Sequence, residues 1–167
     1  VRPGVGRLLD NLKAEGIQPE DIDTVINTHA HADHIGGNAG AQGRPTFPNA
    51  RYMMWKTEWD FWTSEANLAH VSEMRARFAR ENLIPLRDRF DLVEQEEEIR
   101  PGIRAISAPG HSPGHMVLEI SSAGKTLFFL ADTALHPIHL EHPDWLAVVD
   151  ANPEQVIATR QRLFERA

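Results

Sequence analysis

Four metal-binding side chains occur within six positions of the run His29-Ala30-His31-Ala32-Asp33-His34. A short β-branched segment, residues 24–28, precedes this run, and Gly36 and Gly37 follow it. The pattern predicts a buried strand that ends in a loop, with the ligands on the loop and the glycines allowing a tight turn. Because imidazole and carboxylate groups at this density are the usual ligands of divalent ions, the run indicates a metal site.

The composition is typical of one globular domain, since the chain has 167 residues, of which 41% are hydrophobic and 25% charged. The net charge of −7 argues against a nucleic-acid partner, which requires a basic face. No apolar run approaches the roughly 20 residues that span a bilayer, so we expect no membrane partner. The absence of cysteine excludes disulfides and thiolate metal sites and fits a cytoplasmic location.

Helices and strands alternate along the sequence without strict regularity, which predicts a mixed sheet covered by helices. The acidic segment 94–98 is interpreted as a solvated strand end or loop. The predicted helices cover residues 5–15, 65–82 and 153–166, with a further helix that begins near Thr57. The predicted strands cover residues 24–28, 51–55, 103–107, 116–121 and 126–131.

Two later segments have the character of ligand-bearing turns. His111 follows an apolar strand and lies in a turn shaped by Pro109, Gly110 and Pro113. Asp132 ends the apolar segment 126–131, where a lone carboxylate would be costly to bury. Such a carboxylate is expected to be paired or bound to metal, so both residues are candidate ligands.

The run 29–34, the Gly110-His111 turn and Asp132 resemble the metallo-β-lactamase superfamily of hydrolases in their order and approximate spacing. The resemblance implies an α+β fold, a four-layer αββα sandwich that is incomplete in this chain, with a dinuclear metal site at one edge of the two sheets. The ligands that it implies are His29, His31 and His111 for the first metal, Asp33 and His34 for the second, and Asp132 as the bridge between them.

The chain departs from the family pattern in two respects. Ala131 precedes the bridging aspartate, where the family usually has glycine. The last histidine ligand of the family and its opening strands have no counterpart, since His136, His139 and His142 come too soon after Asp132. We therefore expect a single domain over residues 1–167 that is truncated at both ends.

Several segments favour one branch of the superfamily. His31 stands where flavodiiron-type members tend to carry glutamate, and true β-lactamases usually lack the counterpart of Asp132. Segments 47–50, 59–62 and 142–145 look most like the lactonase and organophosphate-hydrolase-like branch. The resemblance thus implies a small ester-like substrate, either a lactone or a phosphotriester.

The ligand set implies two divalent ions, with zinc expected and iron, manganese or cobalt as alternatives. Our hypothesis is that a metal-bridging hydroxide attacks the substrate while the catalytic residue Asp33 orients or shuttles the proton. The expected partner is a small-molecule substrate, and the sequence leaves open whether the protein forms a homo-oligomer. The alternatives are a thioesterase of glyoxalase II type, diiron redox chemistry, and a metal-binding module without turnover.

Three other features are given structural interpretations. His115, four residues after His111, is expected to hydrogen-bond behind the ligands or to pack rather than to bind metal. His70 is expected to be exposed. The aromatic residues Trp55, Trp59, Phe61 and Trp62 are interpreted as core, with a substrate pocket as the alternative.

Overall fold

A computed structural model of the chain describes residues 6–166, which contain helices and strands in mixed order. The helices are α1 (Leu8–Ala14), α2 (Ala32–Ile35), α3 (Lys56–Trp62), α4 (Glu65–Leu68), α5 (Glu73–Asn82), α6 (Ile138–Glu141) and α7 (Pro153–Arg166). The strands are β1 (Thr24–Ile26), β2 (Arg51–Trp55), β3 (Phe90–Val93), β4 (Glu97–Arg100), β5 (Ile103–Ser107), β6 (Met116–Ser122) and β7 (Lys125–Phe129). None of the helices among these residues has both the length and the apolar character needed to cross a membrane.

Most of the predicted elements are confirmed. Strands β2 and β5 have the predicted bounds, and α7 covers the predicted closing helix. The predicted first helix appears as α1, while Val5, its first residue, lies outside the described part of the chain. The acidic segment 94–98 is exposed and leads into β4, as expected.

The prediction of one long helix over 65–82 is wrong, because the structure has two helices there. Ser64 caps α4 by accepting a hydrogen bond from the Asn67 N–H, and Ser72 caps α5 by accepting one from the Arg75 N–H. A serine side chain at this position accepts a hydrogen bond from a backbone N–H of the first helical turn, and this favours the start of a new helix. His70 lies exposed in the turn between them, as expected.

The described residues group into two compact units, the first made of residues 6–53 with 62–91. Its sheet has the strand order β1-β2-β3. Strand β1 pairs in parallel with β2, with Thr24 opposite Arg51, and the Asn27 N–H extends this pairing to the Met53 carbonyl over 2.9 Å. This pairing fixes where the chain leaves β1 and enters the histidine run.

The second unit comprises residues 54–61 and 92–166, and it contains the antiparallel sheet β4-β5-β6-β7. Ala123 and Gly124 join β6 to β7 with φ angles of 49° and 73°, which is the two-residue turn that matches the strand twist. Helix α7 packs through Leu163 against Ile106 and Val117 of this sheet. The core of the unit therefore lies between α7 and one sheet face.

Strand β7 differs from the predicted buried strand over 126–131. It ends at Phe129, and most of its residues are exposed, with Leu127 61% and Phe129 50% exposed. The strand lies at the edge of its sheet, where only one neighbouring strand shields it. Hydrophobicity alone therefore overestimated its burial.

Gly110 lies where the histidine turn meets the first turn of α7. Its φ is +134°, and a Cβ atom there would lie 2.5 Å from the Val156 nitrogen. The Gly110 carbonyl also accepts a hydrogen bond from the Asn152 N–H over 2.8 Å. Only glycine allows this approach, so Gly110 sets the distance between the turn and α7.

We predict that Gly110→Ala lowers the free energy of unfolding by about 2–4 kcal/mol, because α7 must shift to admit the methyl group. Gly37→Ala is the matched control, since nothing lies within 4 Å of the added Cβ and its φ is not positive. Urea unfolding of both variants with a chelator present measures the difference. Equal midpoints for the two variants would contradict the close-approach argument.

Candidate metal centre

A pair of buried amides fixes the loop that carries the first histidines. The side chains of Asn27 and Asn38 exchange two hydrogen bonds of 2.8 and 3.3 Å across the ends of this loop. The Tyr52 hydroxyl donates to the Asn38 carbonyl over 3.1 Å. The loop 28–37 is thus closed at its base by groups whose hydrogen bonds are satisfied internally.

Three imidazoles cluster within this loop. His29 is fully buried, and its Nε2 lies 3.1 Å from Nδ1 of His31. The rings of His29 and His34 have centroids 4.0 Å apart, with ring nitrogens within 4.8 Å of each other. Nδ1 of His29 also lies 3.2 Å from the Thr28 hydroxyl, which orients the ring. The arrangement gathers nitrogen donors into one small volume.

The structure refines the prediction that all four ligand side chains of the run lie on a loop. His29 and His31 do, but Asp33 and His34 lie in the one-turn helix α2. Asp33 has a 78% exposed side chain, and its carboxylate lies 3.8 Å from Nε2 of His34. Gly36 follows α2 at a position with no room for a side chain, because a Cβ atom there would lie 2.4 Å from the Ala32 carbonyl oxygen.

Two of the four aromatic residues between positions 55 and 62 belong to the core. Trp55 is 8% and Trp62 is 2% exposed, which agrees with the core interpretation, whereas Trp59 and Phe61 are half-buried. The ring of Trp62 makes an edge contact with His31, with centroids 5.8 Å apart. Trp62 therefore covers one side of the imidazole cluster and limits the access of water to it.

The second unit holds His111 between two carboxylates. Its Nδ1 lies 2.9 Å from Oδ1 of Asp150, and its Nε2 lies 3.3 Å from Oδ2 of Asp132. The side chains of His111 and Asp150 are 1% and 0% exposed, whereas that of Asp132 is 18% exposed. The ring is thus anchored on its buried side and presents the other nitrogen toward the more accessible carboxylate.

Asp132 lies in the short 3-10 turn Ala131–Ala134 rather than at the end of a strand. Ala131 has a φ of +44°, the left-handed conformation that glycine adopts most easily. The Asp132 N–H donates to Nε2 of His115 over 3.3 Å, and the Thr133 hydroxyl lies 3.3 Å from its Nδ1. His115 is fully buried and holds this turn, as expected for a residue behind the ligands.

A buried glutamate shapes the turn that carries His111. Glu58 has no exposed surface, and its Oε2 accepts hydrogen bonds from the Ser112 hydroxyl over 2.8 Å and the Gly114 N–H over 2.7 Å. A Cβ at Gly114 would lie 2.1 Å from the Glu58 nitrogen. The turn 111–115 is therefore pressed onto α3, which leaves the His111 backbone little freedom.

Sequence reasoning missed Glu58, Asp150 and Arg160, which support these side chains. Glu58 and Asp150 contact residues 54 and 39 positions away, so no local pattern indicates them. Arg160 did leave a signal, because it shares the buried face of α7 with Val156 and Leu163. A cation in an apolar stripe indicates a buried partner.

The donor chemistry of each unit fits a divalent cation. The first offers imidazole nitrogens and the second an imidazole beside a carboxylate, and the sequence contains no thiolate. This set suits zinc and neighbouring borderline ions. Among the residues that the structure describes, the groups of donors that could hold a metal do not include His136, His139 or His142.

Mixed α and β structure with clustered histidine and carboxylate donors defines a protein of the α+β class with a candidate metal centre. The profile of the metallo-beta-lactamase superfamily matches residues 2–165. The chain belongs to this superfamily and has its fold.

Several curated relatives are N-acyl homoserine lactonases. The chain is 29% identical over 161 residues to N-acyl homoserine lactonase AiiA of Bacillus thuringiensis subsp. kurstaki, across 95% of this chain and 56% of that protein. It is 29% identical over 149 residues to N-acyl homoserine lactonase AttM of Rhizobium radiobacter, across 83% and 52%. The chain therefore spans about half the length of the relatives that it matches.

Solved structures give the same picture. The hydrolase AbOPH, described as a member of the beta lactamase superfamily, matches with a TM-score of 0.85 and 29% identity over 96% of this chain and 58% of that one. AidC, a dizinc quorum-quenching lactonase in complex with a product, matches with a TM-score of 0.81 and 27% identity over 96% and 58%. Both likenesses fall on the lactonase and hydrolase side of the superfamily.

Two buried histidines of the second unit have pKa values shifted in opposite directions. Burial alone lowers the pKa of His111, but the hydrogen bonds and charges of Asp132 and Asp150 outweigh it and raise the pKa above 6.5. Burial, aided by the charge of Arg160, lowers the pKa of His139 below 6.5. Carboxylates on both sides therefore favour a positive charge at the position of His111.

We predict that, in chelator-treated protein, His111 titrates above and His139 below the ordinary value of 6.5. Protonated His111 then favours the fold, and this contribution is lost as the pH rises through its raised pKa. Metal binding needs the neutral ring, so metal affinity rises over the same range. Imidazole NMR titration measures both pKa values, and the opposite order would refute the assignment.

Proposed function

We propose that this chain carries the dinuclear centre of a metal-dependent hydrolase that opens lactone rings, with N-acyl homoserine lactones as the substrate class. The observation that carries the proposal is the pairing of donors within each unit, imidazoles around His29 and an imidazole beside Asp132, in a chain similar over 95% of its length to N-acyl homoserine lactonases. The proposed partner is accordingly a small molecule.

The proposed ligand set is the one that membership of the superfamily implies. Three imidazoles would hold the first ion, proposed to be zinc, and Asp33 and His34 would hold the second. One carboxylate would serve both ions. The residues proposed for the first metal and for the bridge are His29, His31, His111 and Asp132. Support comes from the superfamily match and from the buried, pre-oriented state of His29 and His111.

Two divalent cations supply, when bound, an activated water and Lewis-acid polarisation of the substrate carbonyl. The protein residues provide orientation and proton transfer. Trp62 packs on His31 and shields that side of the centre from bulk water. The Asp33 side chain is 78% exposed, so its carboxylate is accessible and could accept a proton at an Oδ atom and pass it to the leaving alkoxide.

We predict that purified protein binds about two equivalents of zinc and hydrolyses N-hexanoyl homoserine lactone. Substitution of a residue that hydrogen-bonds to a metal ligand typically costs roughly 10–100-fold in activity. Asp132→Asn is expected to cost more than this, because it removes the charge of the proposed bridging carboxylate. Asp88→Asn, the same change at an exposed site, is the control and should match the wild type. Elemental analysis and acid release in a weakly buffered assay measure both.

The outcomes separate the alternatives. Two bound metals with turnover of a thioester or a phosphotriester, but not of a lactone, would refute the substrate class and retain the hydrolase. Metal binding without turnover of any of the three substrates would support a metal-binding module.

For Asp33, we predict that Asp33→Asn lowers kcat by about 10²–10⁴-fold with a smaller change in KM, because the amide cannot take up a proton. Asp10→Asn, an exposed aspartate in the first turn of α1, is the matched control. A variant that keeps both metals and full activity would remove Asp33 from the mechanism.

A further inference from the structure

Helix α7 buries an arginine on a face that otherwise packs in the core. Arg160 is fully buried and lies between Val156 and Leu163 on the same face. A buried cation costs several kcal/mol unless it is paired and hydrogen-bonded. The partners of Arg160 should therefore explain why the position is charged.

Arg160 joins three separate segments of the second unit. Its Nε donates to the Thr133 carbonyl over 2.6 Å, and its Nη1 donates to the carbonyls of Pro143, over 3.2 Å, and Trp145. Its Nη2 lies 3.9 Å from Oδ2 of Asp150. One guanidinium thus ties the turn after Asp132 to the loop that ends at Asp150.

The two carboxylate oxygens of Asp150 have different partners. Oδ2 accepts a hydrogen bond from the Ala147 N–H over 2.9 Å and faces Arg160. Oδ1 lies 2.9 Å from Nδ1 of His111, and the Asp150 side chain has no exposed surface. Because the Ala147 N–H and Arg160 hold Oδ2 in place, Oδ1 faces His111 in a fixed direction.

We propose that Asp150 and Arg160 are positioning residues that fix the tautomer of His111, so that Nε2 is its metal-binding nitrogen. An ionised carboxylate can only accept hydrogen bonds, and Asp150 lies closer to the ring, at 2.9 Å against 3.3 Å, and is more deeply buried than Asp132. In the neutral ring Nδ1 of His111 therefore carries the proton. Nε2 then keeps its lone pair and points toward Asp132, the proposed bridging ligand. Arg160 acts through Asp150 by stabilising its charge and holding the loop that carries it.

This inference rests on the proposed function, since it assigns the ligand atom of a proposed metal site. The ligand set alone does not require that Asp150 control which nitrogen of His111 carries the proton. A purely structural ion pair would need Asp150 only for stability, whereas a positioning role also requires that changing Asp150 changes the protonated nitrogen of His111.

Asp150→Asn separates the two roles. If the Asn oxygen faces His111, its NH₂ group faces two donors, the Ala147 N–H and Arg160. If it turns, the NH₂ group faces Nδ1 of His111, which must then accept, and the proton moves to Nε2. The variant therefore disfavours the tautomer in which Nε2 is unprotonated.

The experiment combines zinc affinity with imidazole NMR in the full chain. We expect Asp150→Asn to weaken the first zinc by about 10–100-fold, measured against a chromophoric chelator. In metal-stripped protein at a pH where the ring is neutral, the ¹⁵N shifts should show the His111 proton on Nδ1 in the wild type and on Nε2 in the variant. Asp144→Asn, an exposed aspartate in the same loop, should stay within about twofold of wild-type affinity.

A folded Asp150→Asn protein with wild-type affinity and the proton still on Nδ1 would overturn the inference. If Asp150→Asn does not fold, the same measurements on Arg160→Lys decide. Lysine keeps the charge but cannot reach all three carbonyls, so a smaller shift in the same direction is expected, and no shift overturns the inference. Absence of zinc binding in the wild type would refute the proposed function, whereas the tautomer comparison still tests the positioning role.

Discussion

The hydrogen bond between His111 and Asp150 is the contact on which the second unit depends. A carboxylate with no exposed surface requires partners, and it finds them in an imidazole, a backbone N–H and the guanidinium of Arg160. Each partner belongs to a different segment, so satisfying one buried charge orders the histidine turn, the loop before α7 and the helix itself. The other ring nitrogen of the imidazole faces Asp132. Stability and the orientation of a candidate ligand are therefore achieved by the same set of contacts.

The first unit positions its donors with buried amides. The paired amides of Asn27 and Asn38 close a loop in which imidazoles lie within contact distance of one another. An imidazole binds metal through an unprotonated nitrogen, so the loop gathers donors of the type that a divalent cation requires. The two units therefore place metal donors by different means, one by amide pairing and one by ion pairing.

Local sequence patterns predicted those parts of the fold that local forces decide. Strand β2, strand β5 and helix α7 were found because periodicity and flanking turn residues specify them. The break at Ser72 was missed because a cap within a helical pattern is a weak signal, and the exposure of β7 was missed because edge position is set by other strands. Among the candidate site residues, the density of the run 29–34 indicated metal binding at once. Glu58 and Asp150 act across long sequence separations, and no local pattern can predict such contacts. The joint ligand set stays a prediction.

The exposed face of β7 has a consequence for handling the protein. An edge strand presents unpaired backbone groups in register. In β7 the apolar side chains of Leu127 and Phe129 add to this, being 61% and 50% exposed. Such an edge is a template for strand addition by another chain, and Lys125 is the one charged residue in the strand that opposes it. Concentrated samples of this chain are therefore expected to self-associate through β7, and a second charge at position 127 is the simplest way to keep them dispersed.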